Sequence, residues 1–296
     1  MKHLGETTDR KVEALYADVP PDVMDAYRAF CRTCPYEQVT ADGVDWACLT
    51  NRGGGDALLL LSGALVIPDI GWRTIAHFAR KYRVIAPVYP AVNTMDELAD
   101  GIAGILRREG VERAHVIGGS YGGFVAQVFV RRHPALTRSL VLSHTLPPDP
   151  ALRKSMKKTM RWLPLLPERA LRWVMGRKLG PLMPAKTPET ALAHAMYAEL
   201  LSSRRLTKAD ILGMLARAAD FSGMAFAPQD LAGWPGRVLL VMADDDPGTP
   251  EPVRRAMSAL YPGARVHLFH GTGHAASILK EEEYQAVIGS FFAEVR

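Results

Sequence analysis

The stretch Gly118-Gly119-Ser120-Tyr121-Gly122 follows the apolar run Ala114-His115-Val116-Ile117 and leads directly into Gly123-Phe124-Val125-Ala126-Gln127-Val128-Phe129-Val130-Arg131-Arg132-His133-Pro134. The pattern predicts a buried strand, a tight turn and a helix with nothing between them. Small residues on either side of Ser120 let strand and helix approach closely, and the serine is left strained at the apex with its hydroxyl exposed. In that setting G-x-S-x-G reads as a nucleophile elbow. The plain alternative is a glycine-rich loop arising by chance. Context argues against it, because the motif requires a strand before, a helix after, and partners in the chain order serine, acid, histidine.

Those partners are present. Arg237-Val238-Leu239-Leu240-Val241-Met242-Ala243 is a continuous apolar run that reads as a central parallel strand. It ends in Asp244-Asp245-Asp246-Pro247-Gly248-Thr249-Pro250. For two of these carboxylates a solvated turn with a helix cap is the better reading; one is expected to be catalytic. Ala264 to His270 then alternates as a strand and opens into Gly271-Thr272-Gly273-His274, ahead of the last amphipathic helix. A histidine between small residues can swing its ring over a neighbouring loop, so His274 is the expected base. His270, at the strand end, is a weaker competitor. His3, His77, His133 and His194 have no catalytic context and read as core or surface fillers.

Taken together, the elbow, the segment Val238 to Pro250 and the loop Gly271 to His274 resemble the α/β-hydrolase family, from about Tyr36 to the C-terminus. The resemblance implies a mostly parallel sheet flanked by helices and a Ser120-Asp246-His274 triad. Asp246 is the residue that stands before the short tail ending in proline. Ala243 occupies a place where the family usually has glycine, which leaves Asp245 as the alternative acid; Asp149 would serve if the acid followed the sixth strand. The family's oxyanion hole is built from the N–H after the nucleophile and one from the loop after the third strand. Here those are Tyr121 and Ala64, with Leu65 as the alternative. Ser62-Gly63 stands where His-Gly is typical, so the hydrogen bonding of that loop differs from the family's pattern. Ser62-Gly63, Tyr89-Pro90 and the elbow also resemble the maspardin-like branch.

Elsewhere the chain alternates strand and helix, which argues for a sheet covered on both faces. Residues 10 to 31 read as one N-terminal helix, and strands over Tyr36 to Thr40 and Val44 to Thr50 pair around Ala41-Asp42-Gly43. Ala57 to Leu61 and Arg83 to Pro87 read as further strands, Trp72 to Lys81 and Thr94 to Arg108 as helices. The rhythm breaks at Pro147-Pro148-Asp149-Pro150. From there to about Gly223 only helical patterns occur, predicting a lid over 147–223 on a core of 1–146 and 224–296. A length of 296 residues suits such a two-part molecule. Between Ala151 and Arg217 fourteen Lys and Arg face four acids, a net +10 against +5 for the whole chain. A basic face beside Trp162, Leu165 and Trp173 suits an anionic or carrier-linked apolar substrate, or a lipid face; the plain reading is a solvated surface that keeps the cap helices soluble. His144, at the end of the sixth strand, either faces the pocket, caps the lid hinge or satisfies a carbonyl.

Hydrophobic content of 48% and charge of 23% are those of a globular protein. The longest apolar stretch, Ala57 to Ile67, is broken by Ser62-Gly63 and falls short of the about 20 residues a bilayer requires. The first ten residues lack the apolar segment of a secretory signal, so a cytoplasmic location is expected. Cys31-Arg32-Thr33-Cys34 has metal-site spacing but no second pair nearby, and with Cys48 the cysteines are expected to be free thiols, with no cofactor or metal. No nucleic-acid recognition motif accompanies the basic balance. These readings favour a serine hydrolase cleaving an ester, thioester or lactone of a small apolar substrate. A cyclase or lyase with the same triad, and a noncatalytic ligand- or partner-binding protein, are the alternatives.

Overall fold

The computed structural model describes every residue except Thr7, Thr8, Asp42 and Arg296. The strands are β1 (Tyr36–Ala41), β2 (Val44–Thr50), β3 (Ala57–Leu61), β4 (Arg83–Pro87), β5 (Ala114–Gly119), β6 (Thr137–Ser143), β7 (Arg237–Ala243) and β8 (Arg265–Phe269). They form one sheet in the order β1-β2-β4-β3-β5-β6-β7-β8. From β4 to β8 every pairing is parallel, whereas β2 runs antiparallel to β1 and β4. Ala57–Leu61 is buried at every position. An unbroken apolar strand of this kind is what a sheet covered on both faces demands. Of the Ala41-Asp42-Gly43 turn, Asp42 lies outside the described residues; Ala41 faces Val44 across the β1/β2 register.

Helices α1 (Arg10–Glu13), α2 (Pro21–Thr33), α3 (Trp72–Phe78), α4 (Met95–Arg108), α5 (Tyr121–Arg132), α6 (Pro150–Met160), α7 (Glu168–Leu179), α8 (Ala191–Ser202), α9 (Lys208–Phe221), α10 (Glu251–Leu260), α11 (Ala276–Leu279) and α12 (Glu281–Ala293) flank the sheet. The single helix expected over residues 10 to 31 is instead two. Pro20-Pro21 divides them, because a residue before proline is pushed out of the helical region and a proline is tolerated only at a helix start. Thr94 begins α4 with a reciprocal capping box to Glu97.

Between β6 and β7 lie α6 to α9 and no strand. Two of the cations counted there as a solvated face are interior. Arg172 is buried and donates to Glu168 and to the carbonyls of Ser203 and Leu206. Arg217 is wholly buried on α9. Periodicity registers only that these positions are charged; whether the helix face turns inward is decided by what packs on it. Among the described residues no helix is long and apolar enough to cross a membrane.

Described residues of the N-terminal region, among them His3, Gly5, Tyr16 and Tyr27, strap the core to α8. Asp69, fully buried in the short turn after β3, accepts from His3 Nδ1 at 3.0 Å, Leu4 N at 3.0 Å, Tyr27 Oη at 2.6 Å and Tyr36 Oη. Burial alone would raise the Asp69 pKa, but these donors outweigh it and hold it below the usual value. Glu199 of α8, 1% exposed, accepts from Gly5 N and Tyr16 Oη and pairs with Arg205.

Candidate active site

The elbow is built as its glycines require. A Cβ on Gly118 would lie 2.4 Å from Gly122 O and 2.6 Å from the Ala126 Cβ, and one on Gly122 would lie 2.1 Å from Leu61 O. Any side chain at either position would force α5 away from β5 or from the loop after β3. Between them Ser120 has φ +53° and ψ −123°. For a residue other than glycine this left-handed backbone costs on the order of 1–3 kcal/mol and is held in place by its surroundings. Here Ser120 N donates to Ser143 O at 2.9 Å and Thr145 Oγ1 donates to Ser120 O at 2.8 Å.

Ser120 and His274 line the same cavity of about 240 Å³, which lies between the carboxyl ends of the strands and the segment following α7. Leu60, Ile67, Leu179, Leu182, Met183 and Ile278 give it apolar walls. His274 is held by its Nδ1 edge, 2.8 Å from Asp246 Oδ2 and 3.0 Å from Oδ1. Its Nε2 is buried and has no hydrogen-bond partner among the described residues. Ser120 and His274 therefore share the cavity without a hydrogen bond from the serine to that nitrogen.

The three consecutive acids divide their work. Asp244 bonds the exposed His270 at 2.6 Å, outside the cavity. Exposed Asp245 accepts from Gly273 N at 2.9 Å and so holds the loop that carries His274. Asp246 is 2% exposed and also accepts from Gly248 N at 2.7 Å and Thr249 Oγ1 at 2.7 Å. Burial pushes its carboxyl upward, but hydrogen bonding and the charge of His274, with Thr249 and Gly248, bring it down to about 2. It is ionised across the working pH range of ordinary enzymes. Asp149 is exposed and caps α6 through Ala151 N, away from the cavity.

Tyr121 is the first residue of α5, so its N–H has no acceptor within the helix. Ala64 and Leu65 both line the cavity from the loop after β3. Ser62, where the resemblance leads one to expect a histidine, is buried, and its hydroxyl has no partner among the described residues. The loop is tied instead by Tyr89 Oη donating to Ser62 O at 3.0 Å and by Val66 N donating to Gly63 O at 3.0 Å.

Of two further residues near the site, Arg217 has no motif signal in the sequence, while His144 stands at the end of β6, where its position allowed it to face the pocket. Arg217 donates Nε to Tyr121 Oη at 2.8 Å and Nη1 to Pro90 O and Val92 O at 2.9 and 2.5 Å, linking α9 to the start of α5. His144 lines the cavity with its ring edge-on to His274, the ring centroids 5.5 Å apart. Among the described residues no group of three or more His, Cys, Asp or Glu is placed to hold a metal ion.

A family model described as the alpha/beta hydrolase family matches residues 58–288. The chain belongs to the alpha/beta hydrolase family. Among curated members it is similar to the 2-hydroxymuconate semialdehyde hydrolase of Pseudomonas putida, 22% identical over 263 residues that span 83% of this chain and 90% of that protein. Over 32% of this chain and 38% of the relative it is 31% identical to a 2-hydroxy-6-oxo-6-phenylhexa-2,4-dienoate hydrolase of Burkholderia cepacia. Among solved structures, an alpha/beta hydrolase sheet like this one is found in the meta-cleavage product hydrolase of Pseudomonas fluorescens IP01. The TM-score is 0.70, with 21% identity over 90% of this chain and 100% of that one. A thermophilic esterase of Thermogutta terrifontis aligns with a TM-score of 0.71 at 19% identity over 88% and 99%.

Proposed function

We propose that this protein is a serine hydrolase that cleaves an ester, thioester or lactone of a small, largely apolar substrate through Ser120, His274 and Asp246. The observation that carries the reading is the join of a strained serine and an imidazole at one apolar cavity, the imidazole held at its far edge by a buried, ionised carboxylate. The mechanism follows from that arrangement. His274 Nε2 takes the Ser120 proton as Oγ attacks the acyl carbon, and Asp246 keeps the ring in the required tautomer and stabilises its positive charge. The N–H groups of Tyr121 and Ala64 receive the developing oxyanion. The imidazolium then protonates the leaving group, leaving an acyl-enzyme. Water, deprotonated by the same ring, attacks the acyl carbon; collapse releases the acid and returns the proton to Ser120.

The helices of 147–223 act as the lid in this reading, since Leu179, Leu182 and Met183 form one wall of the cavity. The hydrolase and esterase names borne by similar proteins support the reaction class. A second reading is suggested by the curated relatives, whose names describe oxygen-bearing hydroxy and oxo substrates: a short acyl group carrying its own oxygen.

A fluorophosphonate probe tests the nucleophile. The wild-type protein should be labelled and should hydrolyse short p-nitrophenyl esters, and Ser120→Ala should abolish both. Undiminished labelling of that variant would refute the assignment; tight ligand binding without turnover would favour a binding protein.

A further inference from the structure

Of the two histidines that line the cavity, His144 is the one this acyl transfer leaves unused. It directly follows β6 and is 5% exposed. Its φ of +49° lies in the left-handed region, which a residue with a side chain keeps only where its neighbours impose it. Those neighbours are identifiable. His144 N donates to Val241 O at 2.9 Å, and the residues on either side of it, Ser143 and Thr145, are both bonded to the main chain of Ser120. The ring therefore keeps a fixed relation to whatever group Ser120 carries, and in the acyl-enzyme that group is the acyl chain.

The two ring nitrogens have different surroundings. Nδ1 is 2.8 Å from Ser143 Oγ, and the Ser143 side chain also interacts with buried Tyr284. Nε2, at the opposite edge, is buried and has no hydrogen-bond partner among the described residues. A natural site seldom leaves such an atom unpaired unless a ligand or water completes it. Burial, and next the adjacent His274, hold the ring down to about 4, so it is neutral near pH 7 with one donor and one acceptor nitrogen.

We propose that His144 is a substrate-reading residue: with Ser143 donating to Nδ1, its Nε2–H donates to a carbonyl or carboxylate oxygen that the acyl group carries a few bonds from the scissile carbonyl. The site then selects short oxo- or carboxy-substituted acyl groups over plain hydrocarbon ones. This assignment rests on hydrolysis at Ser120 as proposed above.

The test compares p-nitrophenyl levulinate with p-nitrophenyl valerate, the same acyl chain with and without a ketone oxygen. Wild-type kcat/KM should favour levulinate by about tenfold, the worth of one hydrogen bond in a dry site. In His144→Asn, which tolerates a left-handed backbone but reaches no further than Nδ1, that ratio should fall towards one. In His144→Gln, whose terminal amide reaches the Nε2 position, it should return. A wild-type ratio near one, a ratio that H144N leaves standing, or one that H144Q fails to restore would overturn the proposal. The wild-type ratio is decisive even if a variant fails to fold. Fluorophosphonate labelling in the same preparations separates the two readings. Wild-type protein that labels and turns over valerate without an oxygen preference overturns the His144 assignment alone, while protein that neither labels nor hydrolyses overturns the serine hydrolase reading and this one with it.

Discussion

Neighbouring carboxylates of identical chemistry differ here because of what surrounds them. Asp246 is buried and accepts four hydrogen bonds from His274, Gly248 and Thr249, whereas Asp245 is exposed and accepts from the Gly273 amide. Under the proposed mechanism Asp246→Asn should lower kcat on the order of 10³–10⁴-fold, because an amide orients the wrong imidazole tautomer. Asp245→Asn should cost far less, since its oxygen still accepts from Gly273. Steady-state kinetics on one ester with both variants checks this, and equal losses would mean that the two acids share the role. The sequence carries the run of three acids; it does not carry which of them β7 turns inward. That outcome depends on strand phase at a turn, where a one-residue change reverses the face.

At the scale of elements, the junction of β5, α5 and the loop after β3 is closed by absent side chains. Gly122→Ala should force Leu61 O and α5 apart, lowering the melting temperature by several degrees and abolishing fluorophosphonate labelling. Gly180→Ala is the control. It follows α7 at φ −51° with open space at the added methyl, so its melting temperature should stay within about a degree or rise slightly. Thermal unfolding followed by circular dichroism distinguishes the two. Strand, turn and helix around Ser120 were legible from the sequence because the signal is local, with a period that changes from a buried run to a helical one across five residues. The break at Pro20-Pro21 is legible in the sequence, since two consecutive prolines interrupt the helix expected over residues 10 to 31. The inward face of α9, which carries Arg217 to the Tyr121 hydroxyl, had no local signal at all.

Across the whole molecule, buried neutral histidines make stability depend on pH. Burial, with the charge of Arg138, holds His115 down to about 4, and burial with His274 does the same for His144; an unfolded histidine titrates near 6.5. Between those values the unfolded chain binds more protons than the folded one, so stability falls as the pH is lowered through that window. At pH 4.5 the loss should be about 2 kcal/mol for each of these two histidines, read as a lower urea midpoint than at pH 7. His115→Asn, whose amide stands at the Nδ1 position and so keeps a polar partner for Ser139 without titrating, should make the decline shallower. An identical decline in that variant would show that other groups carry the effect. The strap at Asp69 is a separate test of long-range order. Asp69→Asn removes the charge that gathers four donors, should destabilise the fold by about 2–4 kcal/mol in urea, and should loosen the segments around His3, Tyr27 and Tyr36 towards limited proteolysis.

The parallel strands, the elbow that carries Ser120 and the chain order of serine, acids and histidine can be read from the residues alone. All of these follow from hydrophobic period, glycine placement and turn chemistry within a dozen neighbouring residues. Packing across the chain settles that Asp246 meets His274, that Arg172 and Arg217 are interior, that His144 lines the cavity with its Nε2 buried and unpaired among the described residues, and that Asp69 fastens the N-terminal strap. Each of those depends on a partner tens or hundreds of residues away. Burial and hydrogen bonding are properties of packed surfaces, and one strand of text contains only one side of each surface.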